Sequence, residues 1–162
     1  MDRFLGKEIN GTWLLHVSDN ADDDRGSLNS WGIEAEVESA VALRVESRPA
    51  LDIPDNDING VTDSIHVNSS RSISDLQVEV DISHSWRGDL VVRLTGPGGQ
   101  SITLHEREGG SADNVQRSYN LADTPELSVF VGQSMGGDWS LTVVDQDAFV
   151  SGKFSSWALN LS

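Results

Sequence analysis

The sequence predicts an all-β fold, an antiparallel sandwich or jelly roll. Three observations carry that expectation. Runs of five to eight residues alternate apolar and polar side chains, the period of a strand with one buried face. Clusters of Gly, Asn, Asp and Ser separate the runs. Only Gly32 to Arg48 has a helix-like composition, and its apolar residues also alternate, at Ile33, Ala35 and Val37 and again at Val41, Leu43 and Val45.

In chain order, Thr12 to Val17 (TWLLHV) reads as a strand, and Gly32 to Arg48 as strand, linker and a second strand. Ser64 to Asn68 (SIHVN) follows, then Leu76 to Ile82 (LQVEVDI), which sets four apolar residues on one face. Asp89 to Leu94 (DLVVRL) and Ser101 to His105 (SITLH) flank TGPGGQ, Thr95 to Gln100. The glycines and proline there mark a hairpin turn. Asp138 to Val144 (DWSLTVV) and Phe154 to Leu161 (FSSWALNL) close the series.

An internal repeat organises the chain. A shift of 126 positions superposes Phe4 on Phe130, Gly6 on Gly132, Gly11 on Gly137, Trp13 on Trp139, Leu15 on Leu141 and Val17 on Val143. Farther on, Asp19 meets Asp145, Gly26 meets Gly152, Ser30 meets Ser156 and Trp31 meets Trp157. Both copies read G-x-W-x-L-x-V-x-D, a loop, then S-W. Residues 1–38 are therefore expected to be the closing part of a preceding domain, 39–50 a linker and 51–162 a complete domain. A half-domain cannot bury its apolar face alone. Trp13 and Trp31 need cover, from the following domain or from another chain in a swapped homodimer through residues 1–38.

The 162 residues include 11 Lys and Arg against 26 Asp and Glu, a net charge of −15. That sign argues against nucleic acid and anionic membrane as partners. No apolar run reaches the roughly 18 residues of a helical membrane span. Without cysteine there is no disulfide framework and no thiolate metal site. The opening MDRFLGKEING lacks the apolar region of a signal peptide, so a secreted parent is expected to have lost its leader.

The acid excess points to hard cations, because crowded carboxylates repel one another unless positive charge sits among them. The sharpest candidate is DNDINGVTD. Asp55, Asp57 and Asn59 stand at alternate positions before Gly60, the first half of an EF-hand-like loop. Val61 can add a carbonyl and Asp63 a further carboxylate. His66 occupies the place of the closing Glu, so the expectation is a bare calcium loop, set against an Asn/Asp turn capped by its own side chains. Asp113, Asp145 and Asp147 form a second tier. Asp22 to Asp24 read as a solvated loop.

Other motifs carry less. Gly132 to Gly136 matches G-x-S-x-G, but a strand follows where a nucleophile elbow needs a helix, and the first copy has Glu8 at the place of Ser134. His16, His66, His84 and His105 stand in no paired metal spacing. Arg87-Gly88-Asp89 is an adhesion-type tripeptide that runs straight into a strand, so a structural Arg87–Asp89 pairing is expected, with Trp139 and Trp157 as structural residues.

The motifs IPDNDINGV, DISHSWRGDLVVRLTGPGGQSITL, GGSADN and GDWSLTVVD…SSWALNL, in this order, resemble the P domain of kexin- and furin-like proprotein convertases. Similar domains accompany secreted bacterial subtilases and metalloproteases. The resemblance covers about Leu51 to Ser162, and residues 10–31 resemble the tail of a preceding P domain. It implies a jelly-roll β-sandwich, non-catalytic, that packs beside a protease domain, stabilises it, tunes its calcium dependence and engages protein substrate. Asp55 and Asn56 match the family's I-P-D-N, Arg87 to Asp89 its R-G-D-L, and Gly110, Asp113 and Asn114 its G-G-x-x-D-N loop. Ile58 and Gly152–Phe154 depart from its pattern. The implied parent is a secreted endopeptidase, serine-type before metallo-type. The alternative is an adhesion or substrate-binding sandwich of another exoenzyme. If each strand reverses direction and no further strand lies in Val115 to Glu126, the acidic loops gather at one end.

Overall fold

Alternation is read out most directly in strand β4, Leu76–Ser83, where Leu76, Val78, Val80 and Ile82 are buried and the polar residues between them are not. The same period builds the other elements of the computed structural model, which describes residues 11–20, 22, 23, 25–34 and 41–162. Phe4 and Gly6 of the repeat, Asp24 of the acidic triplet, and Ala35 and Val37 of the alternating run lie outside the described residues. Two units are distinguished, divided between Ala40 and Val41. In the first, no strand is assigned among the described residues.

The second unit contains β1 (Leu43–Ser47), β2 (Leu51–Ile53), β3 (Asp57–Val67), β4, β5 (Leu90–Thr95), β6 (Ser101–Glu106), β7 (Val115–Asn120), β8 (Gly137–Asp145) and β9 (Gly152–Leu161). One sheet has the order β1-β9-β4-β7, with β2 also on β9; the other has the order β3-β8-β5-β6. All pairings are antiparallel. Consecutive strands alternate between the sheets except at the β5–β6 hairpin, which is the jelly-roll pattern the sequence predicts. The first strand of that pattern is broken in two. Pro49 lacks an N–H and Ala50 takes a φ of 50°, so the chain kinks between β1 and β2 while both stay on β9.

Between the sheets lie Trp139, Trp157, Phe130, Phe154 and Tyr119 with the aliphatic residues of both inner faces. The Trp139 indole N–H donates to the Met135 carbonyl at 2.9 Å, and its ring meets Phe130 at 5.1 Å in a tilted pair.

Two elements differ from the sequence reading. Residues 43–47 fall both in the second strand read from the alternation at Val41, Leu43 and Val45 and in the linker 39–50. They form a strand that pairs with β9 through five register positions, Leu43↔Leu161 to Ser47↔Trp157, so the linker boundary is corrected. Residues 115–120 form β7, on β4, where the gathering of acidic loops assumed no strand. In β7 only Val115 and Tyr119 are buried. The crossing that β7 makes returns the chain from one end of the sandwich to the other, so the gathering of loops persists.

Candidate functional site

Four connections meet at one end of the sandwich: β2–β3, β4–β5, β6–β7 and β8–β9. Their contacts are specific. Gly88 N–H donates to Gly110 O at 2.9 Å, and Arg87 N–H to Ala112 O at 2.9 Å. His84 N–H donates to Asn114 Oδ1 at 2.9 Å, and Phe149 N–H to Asp55 Oδ2 at 3.1 Å. Arg107 is ion-paired with Asp147. The first of these bonds needs glycine: a Cβ on Gly88 would lie 2.8 Å from the Gly110 Cα. Arg-Gly-Asp is thus a short 3-10 turn packed against the β6–β7 loop.

Asp145 and His84 form the centre of this end. Both side chains are fully buried. His84 Nδ1 lies 2.9 Å from the Trp86 carbonyl oxygen and 3.1 Å from the Trp86 backbone nitrogen, and on the other side of the ring Nε2 donates to Asp145 Oδ2 at 3.1 Å. The other oxygen, Oδ1, accepts the Asp147 N–H at 3.2 Å. Asp89 is buried nearby. Its burial, and then the charges of Asp147 and Asp145, push its carboxyl above the ordinary aspartate range. Among the described residues Asp89 and Arg87 make no ion pair; the expected pairing is replaced by two separate placements. Asp89 faces the acids, while the Arg87 guanidinium packs against Gly109 and its buried Nε has no hydrogen-bond partner.

The five residues of the calcium loop are distributed along the start of β3. Asp57 Oδ1 accepts both the backbone N–H and the side-chain amide of Asn59, each at 2.9 Å, an Asx turn followed by Gly60 at a φ of 59°. Val61 sits past the bulge that separates Asp57 from Val61, and packs against the core. Asp63 Oδ2 accepts the Trp157 indole N–H at 2.7 Å. Among the described residues no group of three or more His, Asp or Glu is arranged to hold a metal ion. Asp113 stands apart from these, in a shallow cleft of about 350 Å³ with Ser83, Ser151 and Lys153. Ser134 Oγ accepts the Gly136 N–H at 3.1 Å, in a turn leading into β8.

Arg107 was not singled out by sequence reasoning, and Asn114 entered only as a match to the G-G-x-x-D-N loop. Arg107 sits in HEREGG, where nothing distinguishes it from a solvated charge. Both residues take positive φ, 56° and 58°, in the loop that wraps the Arg87–Asp89 turn. Apolar side chains also stand out at this end: Ile58 is 81% exposed and Phe149 97%, with Trp86 partly exposed beside them. Phe149 takes a φ of 88°, a region that bulky residues rarely adopt.

A jelly-roll sandwich with a hydrogen-bonded, acid-rich loop end is the class of module defined here. The model of one family, the Proprotein convertase P-domain, matches residues 1–35 and 73–161, and the chain belongs to that family. It is 35% identical over 113 residues to the Calcium-dependent protease of a Nostoc species, across 68% of this chain and 17% of that protein. It is 30% identical over 151 residues to Leupeptin-inactivating enzyme 1 of Streptomyces exfoliatus, across 90% of this chain and 33% of that protein. The crystal structure of the Aeromonas sobria serine protease in complex with the chaperone is similar at a TM-score of 0.60 and 18% identity, over 75% of this chain and 26% of that one; this is a likeness of fold. The chain spans a third or less of the length of each of these proteins.

Proposed function

We propose that the chain is a non-catalytic accessory domain of a secreted protease, which it stabilises through contact with the protease domain. The family match over residues 1–35 and 73–161 carries this reading, supported by relatives that are themselves proteases. A serine-type protease domain is the partner that the convertase resemblance favours. We assign the contact to the loop end, whose Ile58, Trp86 and Phe149 are exposed apolar side chains in an acidic surround. The test compares thermal inactivation of the full polypeptide with one lacking residues 41–162. Faster inactivation is expected on deletion, and an unchanged half-life would sink the reading. Phe149→Ser should speed inactivation of the full protein while leaving the melting temperature of the 162-residue chain unchanged. The binding-module alternative rests on the same exposed side chains; direct binding of a protein substrate by this chain, lost in Phe149→Ser, would favour it.

Calcium is the proposed ion. Asp55, Asp57 and Asn59 supply oxygen donors suited to a hard cation, with Val61 and Asp63 farther along the strand. A relative's name, Calcium-dependent protease, supports the same choice. Bound calcium would supply positive charge among the loop-end acids. Addition of calcium should raise the melting temperature, with a stabilisation of about 2.7 kcal/mol at a hundredfold excess over the dissociation constant. An unchanged melt in chelator, with no metal by elemental analysis, would overturn this.

The tandem organisation is also a proposal: residues 1–38 as the end of a preceding P domain. The family match to residues 1–35, separate from the match that begins at 73, supports it.

A further inference from the structure

Within this chain, the positions of the hydrophobic core in β8 and β9 stay apolar in the first repeat copy. In β8 and β9 the inward positions are Trp139, Leu141, Val143, Phe154 and Trp157, each at most 1% exposed. Their matches 126 positions earlier are Trp13, Leu15, Val17, Leu28 and Trp31, apolar at every position. Several outward or half-exposed positions do not match: Ser140 meets Leu14, Thr142 meets His16, Lys153 meets Ser27 and Asn160 meets Glu34, while Ser156, Gly137 and Gly152 keep theirs. Asp145, the buried partner of His84, meets Asp19. One loop position also matches in backbone, since Phe149 has a φ of 88° and its match Asp23 a φ of 80°. Such a pattern is expected when both copies fill the same cavity. Yet Leu15, Val17, Leu28 and Trp31 are between 47% and 65% exposed.

β8 and β9 are not edge strands. β8 lies between β3 and β5, and β9 between β1 and β4, so the hairpin-like pair fills a slot in each sheet. A sandwich without them has two gapped sheets and no inner wall at Trp139 and Trp157.

We propose that residues 11–34 are a strand-pair donor that completes a second copy of this sandwich, entering its two slots in the register of β8 and β9. This rests on the reading of residues 1–38 as the end of a P domain, and it adds the acceptor surface: the inner faces of β3 and β5 on one side and of β1 and β4 on the other. Trp13 would take the place of Trp139, Trp31 that of Trp157, and Asp19 would meet the acceptor's equivalent of His84.

The test is an exchange within the full chain. Residues 137–161 are replaced by a copy of residues 11–35. The expected product unfolds in one cooperative transition, with tryptophan emission as blue as in the parent and a lower melting temperature. A second exchange keeps valine at 144 and phenylalanine at 154, in place of the serine and leucine brought by the copy. It restores core volume and should recover most of the lost melting temperature. Non-cooperative melting with solvent-exposed tryptophan emission in both variants would overturn the proposal. The tandem reading fails separately: if the encoded residues upstream lack counterparts of β3 to β7 while the exchange succeeds, the acceptor is a second molecule. Sedimentation of the full chain would then show concentration-dependent association, lost in Trp13→Ala/Trp31→Ala.

Discussion

Asp145 accepts hydrogen bonds from His84 and from the Asp147 backbone in a site closed to solvent. Its replacement by alanine orphans both donors, and a buried unpaired donor costs about 1–3 kcal/mol. Asp145→Ala should therefore lower the unfolding free energy by about 3 kcal/mol in urea melts, with Asp145→Asn intermediate. Asp89 contributes in the opposite sense. Its carboxyl is raised by burial and by two neighbouring acids, so the folded chain holds that proton at pH values where the unfolded chain has released it. Folding takes up a proton in that window, and stability from this group falls as pH climbs above the ordinary value of 3.8. Asp89→Asn should close that gap, gaining relative to the parent as pH rises above 3.8 when melts are compared across pH. Glu79 behaves the other way: the Asn160 amide and then Arg44 hold it below the ordinary glutamate range, and its contribution is lost as pH falls. None of these pairings was legible in the sequence. His84 and Asp145 stand 61 residues apart, and no local spacing encodes a contact made by two strands of different sheets.

At the scale of elements, alternation revealed the strands whose inward faces are wholly apolar. β4 and β8 are found within a residue of their ends for that reason. β7 escapes because Gln116, Arg117 and Ser118 separate its two buried residues, and burial every fourth residue of a strand does not register as a period of two. β1 shows in the alternation of Val41, Leu43 and Val45, but its broken continuation at Pro49 reads as a linker, which puts the domain boundary too late. The structural difference has a measurable consequence. A chain starting at Leu51 lacks β1 and leaves one edge of β9 unpaired. It should be less stable than a chain starting at Val41 by about 2–4 kcal/mol, the scale of burying Leu43 and Val45 with their ladder bonds. Equal melting temperatures would show that β1 is dispensable. The Arg87–Asp89 turn offers a second check. Gly88→Ala should destabilise by about 1–3 kcal/mol, because its Cβ meets backbone that cannot rotate away. Integrin-type adhesion should be absent, because Gly88 and Asp89 are buried.

For the whole molecule, the dominant number is the net charge of −15. Self-repulsion of that size is screened by salt. The melting temperature should rise with sodium chloride, and calcium at equal ionic strength should raise it further if the loop-end acids hold the ion. Equal effects of the two salts would reduce calcium to a screening ion. The fold class was legible because it depends on strand period; the meeting of loops at one end was argued on a strand count that left out β7. The ligands were not legible, since side-chain oxygens at alternate positions serve an Asx turn as well as a cation, as Asp57 and Asn59 do here.

The placement of β8 and β9 at interior positions has a temporal consequence. Translation runs from the N-terminus, so of the strands of this sandwich the two that pair with β3, β5, β1 and β4 leave the ribosome after all the others. Until Leu161 clears the exit tunnel, β1, β2 and β3 have no ladder partner, and the β4–β7 and β5–β6 pairs have no strand to join them to the rest of their sheets. Nascent chains stalled before residue 137 should be protease-sensitive throughout, and protection should arrive abruptly rather than strand by strand. A fold arranged this way is committed only when its final syllables are spoken.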